Sequence, residues 1–115
     1  MLQVKFRRDS RQRLSSVFAS GHADAAIEGD DLVCAAASAI LQAAELGLTV
    51  YSNLQQSAVT RKAGEDASMA FAIPAEARER EDVRAIVRTA ELAIEQLARQ
   101  YPDNVRYVRE IEPTA

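Results

Sequence analysis

Two side chains in this sequence are suited to covalent chemistry, and each is the single representative of its type in 115 residues: His22 and Cys34. They stand twelve positions apart in the stretch SGHADAAIEGDDLVCAA, residues 20–36. A cysteine attacks carbonyl carbon as its thiolate, and an imidazole within about 3 Å can take the thiol proton. Without that contact the same residues read as a small buried thiol and a solvated ring, and spacing alone leaves both readings open.

The elements around the pair decide how close it can come. Leu2, Val4 and Phe6 alternate with polar residues as in a half-buried strand, Asp9–Gln12 is a polar turn, and a second strand runs from about Arg13 to Ser20. Residues 21–31 form a loop bracketed by Gly21 and Gly29, and Asp30 or Asp31 is the expected N-cap of a helix reaching Leu46, with Gly47 in the left-handed position after it. Cys34 then falls in the first turn, where unpaired N–H groups and the helix dipole favour a thiolate and could hold an oxyanion. Asp30 and Asp31 oppose that effect, whereas an imidazolium at His22 would restore it. A strand end and a helix start in a β-loop-α unit tend to share one edge of a sheet, so the two side chains can meet there.

Ala35, Ala39, Ala43 and Gly47 recur every four residues and predict a face of the helix open to close approach. Beyond it, Val50–Thr60 reads as a weak third strand, Lys62–Glu65 as a turn, and Ala67–Ile73 as a fourth strand ended by Pro74. Glu81–Gln100 carries an apolar stripe of Val83, Ile86, Val87, Ala90, Ile94, Leu97 and Tyr101 at helical spacing, and Val105–Ile111 alternates as a last strand. The order β-β-α-β-β-α-β predicts a single two-layer α+β domain, residues 1–115, with two helices packed on a five-stranded mixed sheet. Val4, Phe6, Met69 and Phe71 look too numerous to hide on one side of that sheet, which predicts a homodimer.

Composition narrows the classes. A hydrophobic share of 48% and a charged share of 27% describe a globular domain, and a net charge of −3 gives no bulk attraction to nucleic acid or anionic lipid. Arg7, Arg8, Arg11 and Arg13 crowd the first hairpin and are read as a solvated cluster rather than a phosphate site. One cysteine excludes an internal disulfide, and neither a cleavable leader nor a span of about 18 apolar residues is expected, so the location predicted is cytoplasmic. One cysteine and one histidine fall short of a zinc site, even with oxygens from Asp24, Glu28 or Asp31, and neither metal nor cofactor is expected.

The residues G-H-A at 21–23 and G-x-D-L-V-C-A-A-x-S-A at 29–39 resemble the signature of the Prp family, bacterial ribosomal-processing cysteine proteases. The twelve-residue spacing and the element order are similar as well. The resemblance implies a homodimer that removes a short N-terminal extension, after an aromatic residue, from the large-subunit ribosomal protein numbered twenty-seven. It implies Cys34 as nucleophile and His22 as general base, with Asp31 organising the loop and Ser38 lining the cleft. Gly21 and Gly29 would let residues 23–28 open and close over a peptide. Glu28 stands where family members often carry an aromatic, and Ala25, Ala26 and Ile27 make the loop unusually apolar, which bears on peptide preference. The acid that would orient His22 is left open among Asp24, Asp30, Asp31 and none. The alternative is a non-catalytic, dimeric, ribosome-associated binding module, and neither reading involves direct nucleic-acid or membrane contact.

Overall fold

The computed structural model describes residues 1–21, 30–55, 59–62 and 68–113. β1 (Leu2–Arg8) and β2 (Leu14–Ser20) form an antiparallel hairpin, with Gln12 in the left-handed region at its turn. α1 (Asp30–Leu46) follows, then β3 (Val59–Lys62), β4 (Ser68–Ala72), α2 (Glu81–Gln100) and β5 (Val105–Ile111). The sheet order is β3-β4-β2-β1-β5, antiparallel throughout except for the parallel β1–β5 pair. The domain is thus α+β, with two helices on a mixed sheet.

Strand alternation sorts the sheet into two faces. Leu2, Val4, Phe6, Val17, Ala19, Phe71 and Val105 are buried and share the core with α1 and α2. The expectation that Val4, Phe6, Met69 and Phe71 would overcrowd one side is not met. Val4, Phe6 and Phe71 are buried and Met69 is half-buried, because cross-strand register puts all four under the helices. The crowding argument for a dimer falls with it. On the open face Phe18 is the exposed large apolar residue, at 43%.

The end of α1 also departs from expectation. Gly47 is not left-handed; the chain continues through a π-helical turn, Gly47–Tyr51, closed by the Ser52 amide donating to the Gly47 carbonyl. The left-handed residue is Asn53, at φ 60°. Gly47 is needed for proximity instead: a Cβ there would lie 3.2 Å from Ile86 Cδ1 on α2. Because Val50 and Tyr51 are helical, the third strand is short and begins at Val59.

The buried stripe of α1 is Val33, Ala37, Leu41 and Ala44, continued by Leu48, while Ala35, Ala39 and Ala43 face outward. Of the small-residue face, Gly47 makes the tight contact. The bulkier stripe wins because it removes more apolar area from water. The continuous helix Leu32–Tyr51 is long and apolar enough, by length and composition, to cross a membrane, against the expectation that no such stretch exists. The helical continuation past Leu46 creates that length. Its buried stripe packs as that of a core helix does.

Candidate active site

The start of β1, the end of β2 and the start of α1 converge on one end of the domain. Gln3 pairs with Ser20 there, and the Leu2 amide donates to the Asn104 carbonyl at 3.0 Å, tying the α2–β5 turn to the same place. Gly47, just past α1, lies against Ile86 near the beginning of α2, and Ile40, Ala43 and Ala44 share a groove with Ala85, Ile86, Thr89, Ala90 and Ala93. The two helices therefore run antiparallel, and the first turn of α1 lies toward the end of α2.

Gly21 leaves β2 with φ 108°, and a Cβ on it would collide with the Met1 carbonyl oxygen and sit 3.2 Å from Leu2 Cα. No side chain fits a backbone approach that tight, and the dihedral itself strains any L-residue. Gly21 is the first residue of the expected loop, and its backbone packs against that of β1. His22 itself, Gly29 and the intervening residues 23–28 lie outside the described residues, as does the Lys62–Glu65 turn beyond Lys62.

α1 begins at Asp30, so Asp30 and Asp31 are helical residues rather than its N-cap. That moves Cys34 from the third to the fifth helical position, at the head of the second turn. The orphan N–H groups belong to the turn just before it, and the dipole, which fades within one turn, acts on the thiol more weakly than expected. More of any thiolate stabilisation then falls to a neighbouring cation. Cys34 is half-buried against the core, flanked by exposed Leu32 and Ala35 and backed by buried Val33 and Ala37. Ser38 is exposed one turn further along the Cys34 side of the helix, as a cleft-lining residue would be. Among the described residues no three of His, Cys, Asp and Glu converge as metal ligands do.

The profile of the cysteine protease Prp family matches residues 1–106. The chain belongs to that family. Its fold agrees with SMU.848 from Streptococcus mutans at TM-score 0.82 and 26% identity, over 97% of this chain and 96% of that one. It also resembles the essential ribosomal processing protease Prp from S. aureus. In complex with a substrate peptide that protein matches at TM-score 0.73 and 18% identity, and with a covalently linked product peptide at 0.69 and 19%. Both cover 95% of this chain and 99% of the relative. At those identities the two structures establish the fold. No curated protein matches the chain.

The other end of β1 holds a feature the residue pattern concealed. Arg8, read as part of a solvated cluster, is 6% exposed and donates through both terminal nitrogens to Glu91, at 2.8 and 2.7 Å; Glu91 is 0% exposed. Arg88 and the Tyr107 hydroxyl also donate to Glu91. Burial alone would raise the Glu91 pKa, but these donors hold it below the usual carboxylate range. Asp9 is likewise buried, and hydrogen bonds from the Arg13 and Arg11 amides and from the Arg13 and Arg78 side chains overcome its desolvation to hold it at about 2. The signal was available: Arg8 has the parity of Leu2, Val4 and Phe6 in β1, and Glu91 interrupts the buried stripe of α2 between Ala90 and Ile94.

Proposed function

We propose that this chain is a cysteine endopeptidase that removes a short N-terminal extension from a large-subunit ribosomal protein, number twenty-seven, during ribosome maturation. Membership of the cysteine protease Prp family across residues 1–106, with the cysteine of G-x-D-L-V-C-A-A half-exposed near a helix start, carries the reading. The S. aureus protease held with substrate and covalently linked product peptides supports the same class of substrate.

In this reading His22 accepts the Cys34 proton, and Sγ forms a bond to the scissile carbonyl carbon. The resulting oxyanion sits against N–H groups of the first turn of α1. When the tetrahedral species collapses, the C–N bond breaks and the imidazolium gives its proton to the departing amine. Water, deprotonated by His22, then attacks the thioester; the C–S bond breaks and the peptide leaves as a carboxylate, with the thiol restored. Asp31 organises the approach to the cysteine, Ser38 and Leu32 line the peptide path, and Gly29 closes the loop that Gly21 anchors. The enzyme acts in the cytoplasm as a homodimer and needs no cofactor.

The test is incubation of the host's ribosomal protein precursor with wild type and with Cys34→Ser. Wild type should release the extension, and the variant should lose activity by roughly a thousandfold or more. Equal cleavage by both would overturn the reading. Precursor binding by wild type with no cleavage would favour the binding module.

A further inference from the structure

The arginine end of the domain surrounds an open basin of about 890 Å³ between the β1–β2 turn, the segment after β4 and the first two turns of α2. Six guanidinium groups line it: Arg8, Arg11, Arg13, Arg78, Arg84 and Arg88. Two carboxylates also reach the rim, Glu79 and Glu81, and two more, Asp9 and Glu91, stand behind the arginines they bind. Six positive groups against four negative ones leave an excess of positive charge on a chain whose net charge is −3. The lining of the basin is basic, with Glu112 close by but turned to the Ser15 hydroxyl.

Four of the six, Arg8, Arg13, Arg78 and Arg88, are held in place by buried carboxylates. Asp9 holds Arg13 through Nε at 2.9 Å and Arg78 through Nη1 at 3.0 Å, and Arg78 Nε donates to the Ile73 carbonyl. Glu91 holds Arg8 and Arg88. Each buried carboxylate is shared by two cations, so it orients both and neutralises one. Arg13 Nη1 also reaches Glu79 at 3.4 Å, and the other N–H donors of Arg13, Arg78 and Arg88 are left in set directions. Arg11 and Arg84 are exposed, and among the described residues neither guanidinium has an ion-pair partner.

From this arrangement we propose that the basin binds the phosphodiester backbone of a nucleic acid. Guanidinium forks match phosphate oxygens in pairs, and several forks spread over an open basin suit successive phosphates rather than one small anion. Leu14 and Ala85 are the apolar lining residues, too little to seat peptide side chains or bases, so recognition is of backbone charge without base sequence. The basin lies at the Arg8 end of β1 and Gly21 at the Met1 end, roughly 20 Å apart at about 3.3 Å per residue, so a strand held here leaves the thiol end open. The inference stands on the arginine geometry and is independent of the peptidase reading.

The test is fluorescence anisotropy with a labelled 20-nucleotide RNA, the equivalent DNA, pyrophosphate as competitor and a polyglutamate peptide, at low and moderate salt. Wild type should bind RNA, DNA or both, more weakly as salt rises. Arg11→Ala with Arg84→Ala removes two unpaired cations without touching the buried pairs, and should weaken binding roughly tenfold or more and flatten the salt dependence. Arg99→Ala with Arg106→Ala makes the same change in net charge at the other end of the molecule and should leave affinity unchanged. No binding at low salt, equal loss in both double variants, polyglutamate bound as tightly as nucleic acid, or full displacement by equimolar pyrophosphate would each overturn the proposal.

Discussion

The two ends of β1 are built on opposite plans. At the Arg8 end, Arg8, Arg88 and Tyr107 saturate one buried carboxylate, and Arg13 and Arg78 saturate another. At the Met1 end the framework is an alanine-rich helix start, a half-buried thiol and a glycine that tolerates no side chain. Buried charge networks are costly to disturb and hold neighbouring elements in one arrangement. A reactive thiol needs access and a neighbouring cation rather than saturation. The contrast sets an end secured by buried charge against one framed by small residues and a half-buried thiol.

The strongest way to break that contrast is to open the buried pair. Glu91→Ala leaves the Arg8 guanidinium buried and uncompensated, and should lower unfolding free energy in urea by about 3–5 kcal/mol. Cys34 alkylation in the folded fraction should be unchanged. Replacing both partners, Arg8→Met with Glu91→Leu, should recover most of the loss, because neither charge then remains to be desolvated. A double variant as unstable as Glu91→Ala would mean the network secures more than its own charges.

Gly21→Ala attacks the other end. The forbidden Cβ and the positive φ should cost about 1–3 kcal/mol, and the displaced chain should move His22 and slow cleavage beyond what the stability loss explains. Stability lost with cleavage kept would mean that the anchor does not position the base.

Acid and alkali sharpen the comparison with smaller effects. Asp9 titrates at about 2 in the fold against 3.8 ordinarily, so its stabilisation is intact above about pH 4 and fades as pH falls toward 2; Glu91 shifts the same way. Tyr107 is pushed up to about 12 by burial and by its bond to Glu91, so its share is intact below pH 10 and lost as pH rises toward 12. Asp9→Asn should flatten the acid limb of a stability profile while leaving the alkaline limb alone. The smallest change expected is from Ser38→Ala, within about 0.5 kcal/mol in stability because the residue is exposed, with any effect confined to KM.

Where one local force dominates, the chain was readable. The stripe of α2 sets Glu81–Gln100, Pro102 closes it, and alternation sets β5, so periodicity alone located both. A glycine after a helix has two uses, a left-handed cap and a close contact, and at Gly47 it is Ile86, thirty-nine residues away, that selects the second. Val50 and Tyr51 have strand propensity but follow the helix, which Leu48 anchors in the core. Charge predicts a solvated Arg8, but its parity with Leu2, Val4 and Phe6 in β1 places it in the core. Of the candidate site, Cys34 is half-buried, Ser38 is exposed, and Gly21 packs too closely on β1 for a side chain. The pairing of His22 with Cys34 rests on the family signature.

The most direct test of a thiol activated by an imidazole at the Met1 end is the pH dependence of Cys34 alkylation by iodoacetamide, in wild type and in His22→Ala. The expected result is a midpoint at least one unit below about 8.5 in wild type, returning toward 8.5 in the variant. A midpoint near 8.5 in both proteins would contradict it.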